Sequence, residues 1–241
     1  MEWIIVLKGD EHDLDDLSKV YYSPDLTIKK ILENDHSYYA LTSTQFLLSL
    51  PYVSVKEIAQ NIVRDFTAGT ILLRNSRRPI EIEYITQVDE TGKKAVFLEA
   101  TISATSSVYA NLSVGRRDGS VETHNAAEPI VRWLSIKQKD KNVAKVFEYI
   151  NHDFGSSQTR YKIYEIIKAD GFTPLQKDEK YWKKAELFRR SMNNPLSSGL
   201  DSRHALDTAP PKKPMTLSES QDFIKMLIQE WLNAKDSNSS N

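Results

Sequence analysis

Arg203 and His204 are the residues best suited to chemistry. They are adjacent in a polar stretch that also holds Asn193, Asn194 and Asp201, and Lys184, Arg189 and Arg190 lie on the segment before it. A guanidinium is a permanently charged bidentate donor that fits phosphate oxygens, whereas an imidazole titrates near neutrality. Side by side they would bind and cleave a phosphodiester, with Arg203 holding the phosphate and His204 moving the proton. The basic side chains would draw in a phosphate backbone, with Asn193, Asn194 and Asp201 contacting the ligand. The plainer role for the same dipeptide is to satisfy carbonyl groups at a helix end and tie a loop to a bundle. Two adjacent residues make a motif of low specificity.

Other chemistries lack their motifs. The chain has no phosphate-cradling glycine loop, no Gly-x-Ser-x-Gly elbow and no His-Glu-x-x-His pair. Its five histidines are scattered, and the absence of cysteine excludes disulfides and thiolate metal sites. Glu11, Asp13, Asp15 and Asp16 crowd one helix start, where the helix dipole favours carboxylates without any metal. No cofactor and no metal are expected.

The elements that must position the Arg-His stretch are helices. Thr216-Leu217-Ser218-Glu219 has the form of a capping box, and Leu217, Phe223, Ile224, Leu227, Ile228, Trp231 and Leu232 then form an apolar stripe. Pro210, Pro211 and Pro214 make a stiff, non-helical link before that helix. Further apolar stripes predict helices at Ile130–Ile136, around Val143 to Ile150, around Tyr161 to Ile167 and around Tyr181 to Met192.

The first half reads differently. Met1 to Leu7 is a strand, Asp10 caps a helix, and Leu26–Leu32 with Ser37–Leu41 form two short strands around Asn34 and Asp35. Ser54 and Glu57 form a capping box for a helix through Phe66. The period then changes to two over Ile80–Val88, with a returning strand after Asp89-Glu90-Thr91-Gly92 and a second hairpin over Val108–Val114 and Val121–His124. The fold class is therefore α+β: an N-terminal, mainly antiparallel sheet with two covering helices over residues 1–125, then a helical domain over 126–233. The break belongs between Arg116 and Glu128. Residues 234–241, rich in Ser and Asn, are expected to be disordered.

The net charge of −1 argues against a wholesale nucleic-acid or membrane binder, but it hides an asymmetry. Residues 1–60 hold ten acidic and five basic side chains, whereas 176–213 hold nine basic and five acidic ones. No apolar run approaches the ~20 residues that cross a bilayer, and the N-terminal run lacks the pattern of a signal peptide. A cytoplasmic protein without membrane contact is expected.

Asn193-Asn194-Pro195, Ser202-Arg203-His204-Ala205 and the entry Met215-Thr216-Leu217 into the last helix resemble bacterial proteins whose C-terminal part is similar to the HEPN superfamily. The resemblance covers roughly residues 140–232. It implies a HEPN-like helical domain, RNA as partner, a homodimer formed through the C-terminal helices, and a place in a defence or stress system. In HEPN ribonucleases an Arg and a His stand several residues apart on one helix; here Arg203 and His204 are adjacent, about 100° apart if helical. The leading expectation is a binding or regulatory protein that contacts RNA through the basic Arg-His segment. The alternatives are a metal-independent HEPN-type ribonuclease and a non-enzymatic protein-protein interaction module.

Overall fold

The structure, a computed structural model, describes residues 2–33, 36–74, 78–91, 93–98, 114–115, 121–122, 125–199, 202 and 210–239. The chain divides into two compact units, Met1–Val131 and Arg132–Asn241.

The first unit is built on β1 (Glu2–Lys8), whose alternating and continuous apolar residues suit a strand with both faces covered. Trp3, Ile5 and Leu7 are buried on one side and Val6 on the other. Around it β2 (Tyr22–Ser23), β3 (Leu26–Glu33), β4 (His36–Ser43), β5 (Glu81–Val88) and β6 (Lys94–Leu98) form one sheet, ordered β2-β3-β4-β1-β5-β6. Every pairing in it is antiparallel.

Ile28, Leu41, Ile5, Ile85 and Phe97 stand directly opposite one another across five strands, and so share a face. Both helices of the unit cover that face. Glu11, at the start of α1 (Glu11–Val20), meets Lys30 on β3 at 2.8 Å, and Tyr52, at the start of α2 (Tyr52–Arg74), stacks on Phe97 with centroids 4.6 Å apart. On the other face Lys94 Nζ reaches Glu33 Oε1 at 3.1 Å, although β3 and β6 are well separated in the sheet order. The sheet must therefore coil strongly, as right-handed strand twist accumulates across it.

Asp10 caps α1, accepting from His12 N at 3.0 Å. The carboxylates behind it have a structural use, since Arg74 at the end of α2 pairs with both Asp13 and Asp16. In α2 the expected Ser54–Glu57 capping box is absent. The helix starts earlier, at Tyr52, because the Pro51 carbonyl already accepts from Ser54 N at 3.0 Å and Val55 N at 3.2 Å. A separate pair, β7 (Val114–Gly115) and β8 (Val121–Glu122), is antiparallel. The remainder of that expected hairpin, including Val108, lies outside the described residues.

The units part between Val131 and Arg132, inside α3 (Glu128–Lys139) and beyond the Arg116–Glu128 stretch in which composition places the break. The first turn of α3 packs on α2: a Cβ added at Gly69 would lie 2.6 Å from Ile130 Cγ2. Gly69 is thus required for close approach.

The second unit continues with α4 (Lys141–Asp153), α5 (Ser157–Ala169), α6 (Pro174–Lys177), α7 (Glu179–Met192), α8 (Pro195–Ser198) and α9 (Leu217–Ser239). Asp140, Ser156, Asp178 and Asn194 each accept a backbone N–H at a helix start, which supplies the partners those donors otherwise lack. Gly171, at φ 78°, ends α5 in the left-handed conformation that glycine adopts without strain. The stripe of α9 is buried from Phe223 onward, with Leu227, Trp231 and Leu232 at most 2% exposed, whereas Leu217 at its start is exposed. α9 also runs past Ala234, where composition predicts a disordered tail. Lys235 explains the difference, pairing with Asp140 and Asp170.

Candidate functional site

The candidate segment leaves from the C-terminal end of α7. That helix buries Ala185, Phe188, Ser191 and Met192 on one face, and the rings of Tyr161, Tyr164 and Phe223 surround Phe188 with centroids 5.7–6.1 Å away. Its basic residues do not share a direction. At about 100° per residue, Arg189 stands about 140° around the helix from Lys184, and Arg190 a further 100° or so. Lys184 and Arg190 are exposed, and neither makes an ion pair among the described residues. Arg189 is held bidentately by Glu186, Nε to Oε2 at 3.0 Å and Nη2 to Oε1 at 2.8 Å. That fork lowers the Glu186 carboxyl below its ordinary range and raises Arg189. The pair is about half exposed, so it costs little to open toward an incoming anion.

Asn193 and Asn194 are part of the frame. Asn194 is buried, and its Oδ1 accepts from Leu196 N at 2.9 Å to start α8. Asn193 Nδ2 donates to Tyr161 OH at 3.5 Å, while its backbone N–H closes the end of α7 on the Arg189 carbonyl. Asp201, Arg203 and His204 lie outside the described residues.

The flanks of that stretch are anchored at one place. On the outgoing side Ser198 Oγ donates to the Met192 carbonyl at 3.3 Å, and Ser202 N bonds the Gly199 carbonyl at 3.1 Å. On the returning side Met215 N donates to Ser191 Oγ at 2.9 Å. Ser191 is fully buried, so the chain that departs from the last turn of α7 comes back to the same turn before α9 begins. Thr216 and Glu219 then close the capping box reciprocally, at 2.8 Å and 3.1 Å.

No protein family, curated protein or solved structure matches this chain. Among the described residues no group of three or more His, Asp or Glu could hold a metal ion, and no helix is long and apolar enough to cross a membrane.

Two polar centres of the helical unit have no counterpart in local sequence patterns. Lys235 Nζ lies 2.6 Å from Asp140 Oδ2 and 2.6 Å from Asp170 Oδ2, while Asn142 Nδ2 and Trp231 Nε1 donate to Asp170 at 2.6 Å and 2.8 Å. Burial works against ionisation of both carboxyls, yet the hydrogen bonds from Lys235 and its neighbours hold them below their ordinary range. These are charged, fully engaged carboxylates, which makes them poor proton carriers and good anchors. Arg160 is more deeply buried than that cluster, and its Nη1 donates to the Phe154 carbonyl at 3.0 Å and also to that of Gly155, closing the end of α4. The only sequence signal for either centre is a charged residue on an otherwise apolar helical stripe.

Proposed function

We propose that this is a binding or regulatory protein whose helical unit, HEPN-like in its C-terminal sequence, contacts RNA through the segment that carries Arg203 and His204. The observation that carries the reading is the double anchoring of that segment. Met215 N on Ser191, together with Asn194 at the start of α8, returns both flanks to the end of α7. Arg190 is exposed there, and Arg189 waits in an exposed pair that an anion could replace. A phosphate held by Arg203 would thus have further cations within the same region, and the attraction would fall with salt as counterions compete.

The test is anisotropy of labelled single-stranded RNA against the full chain over a range of salt. Binding that weakens as salt rises, and weakens further in Arg190→Ala and Arg203→Ala, supports the reading. The absence of any RNA binding at low salt removes it and leaves the protein-protein interaction module.

A further inference from the structure

β3 leaves part of one edge without a partner strand among the described residues. β2 pairs only with Leu26 and Thr27, and beyond it Ile28 N donates to the Tyr21 carbonyl at 2.7 Å on the side away from β4. The β3–β4 register is unbroken from Leu26↔Ser43 to Glu33↔His36. Backbone groups alternate sides along a regular strand, so Lys30 and Leu32 direct their N–H and C=O groups outward as Ile28 does. Nothing described pairs with Lys29 to Glu33 on that side. Leu32 is 75% exposed, and a groove of about 550 Å³ runs along the edge between Ser18, Tyr22 and the β3 backbone.

An open edge is a template for another strand, and lysines are a common guard against it. Here that guard is weakened. Lys30 is neutralised within the chain by Glu11 at 2.8 Å, and of the two lysines on this edge Lys29 alone lacks an ion pair among the described residues.

We propose that this edge pairs with the same edge of a second copy, β3 against β3 antiparallel about a two-fold axis. The outward groups restrict the register, since hydrogen-bonded pairs must join even-numbered residues to even-numbered residues. Pairing Lys30 with Leu32 of the second copy places Ile31 on the axis. It also sets Lys29 opposite Glu33 of the second copy in a non-hydrogen-bonded pair, where side chains are closest. The symmetry forms that ion pair twice. The adjacent registers set Lys30 against Lys30 or Leu32 against Leu32 and lose both ion pairs. The chosen register uses the five open residues of each copy and stops where β2 begins. Glu33 already accepts from Lys94 on both oxygens and from Tyr38 OH on Oε2, each at 3.1 Å, which leaves a lone pair on Oε1 for a second ammonium.

Sedimentation equilibrium of the full chain tests this, with thermal melting to confirm that each variant folds. The wild type should approach twice the single-chain mass as concentration rises. Leu32→Pro removes an outward donor without removing a β3–β4 bond and should return the mass to one chain. Lys29→Glu should do the same by setting like charges opposite, and the double variant Lys29→Glu with Glu33→Lys should restore the dimer. A wild type that stays monomeric up to about 1 mM, the weak end of measurable association, overturns the proposal. So does a dimer that persists in both Leu32→Pro and Lys29→Glu, which would place the contact on another surface.

Discussion

Trp231 Nε1 donates to Asp170 Oδ2 at 2.8 Å, and Lys235, one turn further along α9, reaches the same oxygen at 2.6 Å. The contact joins the end of α5 to the last helix. Lys235 also reaches Asp140 at the start of α4, so three helices meet at one ammonium.

The meeting point makes the stability of the helical unit depend on acid. Asp140 and Asp170 are held below the ordinary carboxyl range in the folded chain, so their contribution is complete above the unfolded value of about 3.9. It is lost as pH falls through the lower folded values. Melting curves from neutral pH down to the acid limit should show a steep loss below about pH 4. Lys235→Met should be less stable at neutral pH and should lack that extra loss. An identical acid dependence in both proteins would show that the ammonium does not hold these carboxyls.

Gly69 supplies a test of close packing in the first unit. Gly→Ala in a helix interior ordinarily gains about 1 kcal/mol. Here the new methyl would meet Ile130 Cγ2 at 2.6 Å, and overpacking of that kind costs about 1–3 kcal/mol. Gly69→Ala should therefore destabilise in urea titration. In an Ile130→Ala background the same change should become neutral or stabilising, a non-additivity expected only of residues in contact.

Leu227 is fully buried on α9, and Leu227→Ala should cost about 2–5 kcal/mol through lost burial and the cavity left behind. Its mass in solution should not change, because Leu227 is already fully covered within a single chain. A stable variant with altered mass would instead make the stripe an intermolecular seam.

For the Arg-His segment, binding and turnover should separate. Arg203→Ala should weaken RNA binding by removing a charge-assisted fork. His204→Ala should leave binding largely intact, and if the protein cleaves RNA it should slow cleavage by about 10²–10⁴-fold. Melting on the same samples identifies the plainer role: both variants would lose thermal stability and RNA behaviour would be unchanged.

What the sequence determined by itself is whatever rests on neighbours along the chain. The Thr216–Glu219 box, the Asp10 cap and the β3–β4 hairpin each arise from residues a few positions apart, where backbone geometry limits the choices. β5 is a strand as its pattern predicts, but a register shift against β1 breaks the period of two and puts Ile82 and Ile85 on one face. The composition of each half likewise sufficed for an α+β chain with an antiparallel sheet followed by helices. Local patterns failed where two of them competed, as at Ser54, a good cap overruled by a helix that had already started on the Pro51 carbonyl. Only the tertiary structure decided that Lys235 would hold Asp140, 95 positions away, or that Gly69 would make room for Ile130. The same holds for the candidate site. Composition picked out the cations of α7, but its helical rotation pointed them apart, and the buried Ser191 hydroxyl brought Met215 back to that turn. A lysine on a helix is equally suited to solvent or to a carboxylate; which it meets depends on how the helices pack, and packing is set by the whole apolar core.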